Sequence, residues 1–206
     1  MPKILVSYRR DDSRADAGRL CDHLTEHFGR DQVFFDIDSI APGDDFVSRL
    51  EKTVSTCDVL IAVIGPRWLL ISDQAGARRL DDPQDFVRLE IASALRREIP
   101  VFPVLVDNAR IPRSEDLPDD LQALTRHQAV HLPQAGYRLH VNVLIQAIEE
   151  RQKTEAELRK AQVEAGWGDA SAVTRLGTMY ESGSGGFPKD ESKAVGRRKG
   201  VGSLFS

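Results

Sequence analysis

Val59-Leu60-Ile61-Ala62-Val63-Ile64 is a run of six apolar residues without a break, closed by Gly65-Pro66. A strand with one wet face alternates polar and apolar residues, so a short continuous run fits a strand covered on both faces. Such strands belong to parallel sheets flanked by helices. Outward from this run, residues 3–7 (Lys-Ile-Leu-Val-Ser) and Val33-Phe34-Phe35 read as strands on its N-terminal side. On the other side lie residues 100–106, with Val101, Val104 and Val106 supplying β-branched bulk, and a weaker strand at 129–132.

Helical periodicity fills the gaps. Ser13-Arg14-Ala15-Asp16 has the form of a capping box, opening a helix that buries Ala17, Leu20, Cys21, Leu24 and Phe28 and stops at Gly29. Phe46, Leu50 and Val54 mark a second helix, and Asp82-Pro83 is read as the cap and first residue of a third. Residues 118–125 suggest a short helix. A long one starts near Tyr137 and buries Val141, Leu144, Ile145 and Ile148. Strand-helix alternation with short connections forces parallel pairing. The expected fold is therefore α/β, a flavodoxin-like doubly wound five-stranded parallel sheet followed by a helical appendage. Ligands in such sheets sit at the carboxyl ends of the strands. Here those ends are Tyr8-Arg9-Arg10, Asp36, Gly65-Pro66-Arg67-Trp68 and Asp107, with the loop entering the third helix on the same rim.

Composition limits what this sheet does. Of 206 residues, 41% are hydrophobic and 29% charged, the balance of a globular domain plus an appendage. A net charge of −4 argues against nucleic acid as a partner. No apolar run approaches bilayer length, and Met1-Pro2-Lys3 leads straight into a strand, so neither membrane nor signal peptide is expected. Cys21 and Cys57 have no metal-ligand spacing and are read as free thiols of a cytoplasmic protein. His23 and His27 lie four apart on a helix without a third ligand nearby, which is the pattern of surface histidines.

The domain is expected over residues 1–148. Residues 149–165 are rich in charge, with Glu149/Lys153 and Glu155/Arg159 at ion-pair spacing, and read as a solvated helical linker. Residues 166–206 form the appendage and tail.

Within the third helix, Asp85-Phe86-Val87-Arg88-Leu89-Glu90-Ile91, the chain places one acid among apolar residues. Val87, Ile91, Ala94 and Leu95 gather into a core-facing stripe bordered by Phe86, Glu90 and Ser93. The positions three and four away from Glu90 hold no Lys or Arg. Such a carboxylate is either turned to water or kept for chemistry.

Five pieces, Ser7-Tyr8-Arg9-Arg10, Val33-Phe34-Phe35-Asp36, Ala41-Pro42-Gly43-Asp44, Val63-Ile64-Gly65-Pro66-Arg67-Trp68 and Asp85-Phe86-Val87-Arg88-Leu89-Glu90-Ile91, stand in the order seen in one family. Together they resemble the bacterial Toll/interleukin-1 receptor (TIR) domain family over roughly residues 1–150. Enzymatic members cleave NAD⁺ with a glutamate on the helix after the third strand, and the matching position here is Glu90. The resemblance implies that Ser7, Tyr8, Arg9, Asp36 and Phe86 line the substrate site. Phe86 stands where the family often has tryptophan, and Gly65 where several relatives have serine. The loop with Ala41, Pro42, Gly43 and Asp44 matches the segment that gates the site and takes part in self-association. Residues 168–194 resemble one Sel-like repeat, a relative of the tetratricopeptide helix pair, and the pattern is lost beyond Ala194. A lone repeat cannot bury its own faces, so the tail is either vestigial or shortened.

The implied reaction suits the residues. Nicotinamide leaves NAD⁺ as a neutral base, so no general acid is needed, whereas ordinary glycosides require two carboxylates. Positive charge grows on the ribose, and one well-placed carboxylate stabilises it. Cofactors are expected to be none, with NAD⁺ as substrate and further TIR domains as partners. Arg9 and Arg10 are written for dinucleotide phosphates or for fixing a loop carboxylate. Asp36 is also suited to holding backbone in the loop that follows it. Asp11-Asp12 suggests a phosphoacceptor receiver domain, but Gly65-Pro66 stands where that fold needs an aspartate. No glycine-rich phosphate loop follows the first strand, which disfavours NAD⁺ as a hydride carrier. The alternative function is a non-enzymatic TIR interaction module that recruits other TIR domains.

Overall fold

The structure, a computed structural model, describes residues 1–35, 46–167 and 169–182, with residues 46–49 and 182 described by backbone only. Five strands form one sheet: β1 (Ile4–Ser7), β2 (Val33–Phe35), β3 (Val59–Ile64), β4 (Val101–Val106) and β5 (Val130–Leu132). Their order is β2-β1-β3-β4-β5 and every neighbouring pair is parallel. This is the flavodoxin-like arrangement, with the direction of winding reversing between β1 and β3. The run that opened the sequence reading is buried at all six positions. Pro103 interrupts β4 without harm, because β5 joins only at the next residue, Val104.

Right-handed crossovers send α1 (Arg10–Phe28) to one face and α2 (Phe46–Thr56) and α3 (Phe86–Arg96) to the other. On the second face Leu5, Leu60, Ala62 and Ile64 pack with Leu50, Val54, Val87, Ile91 and Trp68. Leu121 and Leu124 of the 3₁₀ segment Asp119–Arg126 complete that layer. The chain divides into two compact units, Met1–Leu144 and Ile145–Ser206. In the second unit, Leu158 and Ala161 of α4 (Tyr137–Gly166) meet Leu176 and Tyr180 of α5 (Ala170–Ser182).

Several local expectations are corrected. The first helix begins at Arg10, because the amides of Asp12 and Ser13 already bond to the Arg9 carbonyl at 3.0 and 2.9 Å. Ser13 marks a kink (φ −130°, ψ 22°), and its buried hydroxyl has no hydrogen-bond partner among the described residues. The capping box does not form, since the Asp16 carboxylate accepts instead from Gln134 at 3.0 Å. The third helix is capped by Asp85 rather than by Asp82. Asp82 uses its side chain on the Gln84 amide and its carbonyl on the Asp85 amide, closing a turn before the helix. Residues 149–165 are not merely a solvated linker: Leu158 and Ala161 are buried, because α5 returns to cover them. Glu155 pairs at 3.0 Å with Arg151, one turn before it, and not with Arg159, one turn after it. Cys21 and Cys57 are both buried free thiols.

Candidate active site

The geometry around Glu90 starts at the helix cap. Asp85 is extended (φ −66°, ψ 125°), and its carboxylate accepts from the Arg88 amide at 3.0 Å, satisfying an amide at the helix start. From there α3 buries Val87, Ile91, Ala92, Ser93 and Ala94, and with them Glu90, which is 9% exposed. Of the two states open to this carboxylate, the inward one is observed. Arg88 on the same helix is committed elsewhere, to Asp120 and to the carbonyls of Leu80 and Asp81. One turn beyond Glu90, the buried Ser93 hydroxyl has no hydrogen-bond partner among the described residues. Phe86 opens the helix and is 42% exposed.

The end of β1 supplies the next group. Ser7 alternates with Leu5 and so faces the α2–α3 layer; its buried hydroxyl likewise has no partner among the described residues. Tyr8 is buried and stacks on Phe35 of β2, ring centroids 4.8 Å apart and planes 12° from parallel. Asp36, Ala41, Pro42, Gly43 and Asp44 lie outside the described residues.

Arg9 requires a correction. The residue is 2% exposed. Nη1 and Nη2 donate to the two oxygens of Asp85, both at 2.9 Å, and Nε donates to the Trp68 carbonyl at 3.1 Å. Of the two roles written for Arg9, fixing a carboxylate is the one seen here, with each of its three nitrogens donating one hydrogen bond. A bidentate fork of this kind is strong because planar guanidinium matches planar carboxylate.

Asp12 is a site residue that sequence reasoning missed. Its carboxylate accepts from the amides of Gly65 at 2.9 Å and Arg67 at 2.7 Å, tying the start of α1 to the loop after β3. Burial pushes its pKa up, against the opposing pull of those two amides. The contact explains Gly65: a Cβ there would lie 2.7 Å from Asp12 Cγ and 2.8 Å from Oδ1. Nothing in the local pattern announces this pairing, since the two residues are 53 positions apart. Asp85 did carry a signal, an acidic residue three before Arg88 where the apolar periodicity begins, but Asp82-Pro83 competed for the same role.

The five parallel strands with helices on both faces define a flavodoxin-like α/β domain. A family model for the TIR domain matches residues 4–141. The chain belongs to the TIR domain family. Among solved structures it is similar to the TIR domains of the activated Roq1 resistosome directly recognizing the pathogen effector XopQ. That likeness has a TM-score of 0.50 at 14% identity, covering 72% of this chain and 99% of the other, and it shows the shared fold. It is also similar to a metazoan TIR-STING receptor from C. gigas in complex with 2′,3′-cGAMP, with TM-score 0.45 and 16% identity over 69% of this chain and 39% of that one. No curated protein matches the chain. Among the described residues, no helix is long and apolar enough to cross a membrane.

Proposed function

We propose that this chain is an NAD⁺ nucleosidase, a bacterial TIR enzyme that cleaves the bond between nicotinamide and ribose with Glu90 as the catalytic carboxylate. The observation that carries the reading is the burial of Glu90 inside α3 among apolar neighbours. A fixed carboxylate in a poorly hydrated site stabilises developing positive charge far more than one in water does. As the glycosidic bond breaks, its electron pair leaves with nicotinamide, which becomes neutral, and the ribose becomes oxocarbenium-like. Glu90 faces that cation, and water or the adenine ring then captures it, giving ADP-ribose or a cyclic form. Ser7 and Tyr8 shape the floor of the cleft, Phe86 offers a ring to the nicotinamide, and Asp36 is assigned to substrate binding by family likeness.

Self-association through the segment with Ala41, Pro42, Gly43 and Asp44 is proposed to complete the site, in the cytoplasm. Residues 168–194, which include α5, are read as a partial Sel-like repeat that serves as a partner-sensing appendage. Glu90→Gln keeps the side chain's size and removes its charge. It is expected to lower the rate of nicotinamide release by about 10²–10³, as loss of one preorganised electrostatic group does. Chromatography of NAD⁺ reactions decides the matter. If Glu90→Gln matches an active wild type, the catalytic role of Glu90 is lost; if the wild type leaves NAD⁺ intact at high protein concentration and under crowding, the enzyme reading is lost. The interaction-module reading then stands, and it is tested by whether changes at Pro42 or Gly43 abolish recruitment.

A further inference from the structure

We propose that Arg9 and Asp85 are the positioning pair of the Glu90 site, holding the first turn of α3, and so the Glu90 carboxylate, against the ends of β1 and β3. The kinetic consequence rests on the nucleosidase reading; the mechanical one does not.

The two side chains are each 1% exposed and meet through two parallel bonds of 2.9 Å. Arg9 lies two residues past the end of β1, and its carbonyl starts α1 by accepting from the amides of Asp12 and Ser13. Its Nε reaches the Trp68 carbonyl in the loop after β3, and its guanidinium carbon lies 5.7 Å from the centre of the Trp68 ring. Asp12 fixes the same loop through Gly65 and Arg67. On the far side of the pair, Asp85 starts α3 twice over, with its carboxylate on the Arg88 amide and its carbonyl on the Leu89 amide. Arg79, 37% exposed, adds a second guanidinium 3.4 Å from Asp85. Glu90 follows five residues later on the same rigid helix.

A buried ion pair is weak evidence for stability, because desolvation consumes most of its attraction. What the fork supplies is geometry. It sets one distance and one plane between the end of β1 and the helix start, where an apolar pair of similar volume would slide. Catalytic carboxylates need that precision, since a displacement of about 1 Å costs about 10²-fold in rate. The Arg88–Asp120 pair provides an internal control. It fastens the same helix to the 3₁₀ segment at 3.1 Å, through a half-exposed partner.

The experiment uses the full chain. Arg9→Met with Asp85→Asn removes both charges while asparagine keeps the cap. At a temperature where circular dichroism shows the variant folded, kcat for nicotinamide release is expected to fall about 10–100-fold with KM within about twofold. Arg9→Lys keeps the charge but not the fork and is expected to lie between, so it also carries the test if the double variant fails to fold. Asp120→Asn is expected to leave kcat unchanged. Hydrogen exchange at the amides of residues 88–90 is expected to quicken at least tenfold in the Arg9/Asp85 variant and not in Asp120→Asn. An unchanged kcat in the folded double variant, or an equal loss in Asp120→Asn, overturns the proposal. If the wild type cleaves no NAD⁺, the nucleosidase reading falls by itself. Exchange then decides the pair: selective quickening sustains it, and unaltered exchange overturns it.

Discussion

Replacing Gly65 by alanine puts a methyl group where Asp12 now sits. The added Cβ meets all three terminal atoms of the Asp12 side chain, with Cγ at 2.7 Å and Oδ1 at 2.8 Å. Asp12 has no slack, because its carboxylate is held by two amides, Gly65 at 2.9 Å and Arg67 at 2.7 Å. The carboxylate must swing away, which strands the buried Gly65 amide. Leaving a buried donor unsatisfied costs about 1–3 kcal/mol, and off-rotamer strain adds about 1 kcal/mol. A loss of about 3 kcal/mol, or ~6–12 °C in Tm for a chain of this size, is expected for Gly65→Ala. The assay is a double-mutant cycle by urea unfolding. In an Asp12→Ala background the space is vacant and the amides are already stranded, so Gly65→Ala should cost less than about 0.5 kcal/mol. The coupling between the two positions is then about 2–3 kcal/mol. Additive losses would refute the claim that the Asp12 carboxylate is what keeps position 65 a glycine.

Asp16 gives a pH-dependent counterpart. Burial first, and then the neighbouring Asp107, raise its pKa above the ordinary 3.8. A raised carboxyl binds its proton more tightly in the folded chain, so its contribution is favourable below the unfolded pKa and is lost as pH rises through the folded value. Asp16→Asn, which still accepts from Gln134, should therefore raise Tm at pH 7.5 and make no difference at pH 3.5; equal shifts at both pH values would contradict this. Cys21 and Cys57 have pKa values pushed up to about 12, chiefly by burial. Both thiols should resist a disulfide reagent in native protein at pH 8 and react at once in denaturant; rapid native reaction at either would show that side chain to be accessible.

The residues of β3 carried the fold by themselves. Six apolar positions in a row have few stable settings other than a strand covered on both sides, and the alternating helical segments then admit a parallel sheet. The start of α4 at Tyr137 and the bounds of β2 and β3 were legible because turn residues and periodicity agree there. The candidate site was legible in part: the apolar stripe left Glu90 on its border, either turned to water or kept for chemistry, and only the packed helix shows it buried. Cap positions fared worse, because Asp82-Pro83 and Asp85 both suit a helix start by local chemistry. The choice between them was made by Arg9, 76 residues away, whose buried guanidinium needed a carboxylate at the cap.

Local preference and hydrophobic period act over a few residues, and they determined strands, helices and the face on which Glu90 lies. The pairings Arg9–Asp85 and Asp12–Gly65 join segments that meet only once the sheet is assembled. Their energies depend on dehydration and on tenths of an ångström, which no stretch of sequence contains. So the chain announced its sheet, and the tertiary structure alone decided that the Arg9 guanidinium clamps the Asp85 cap.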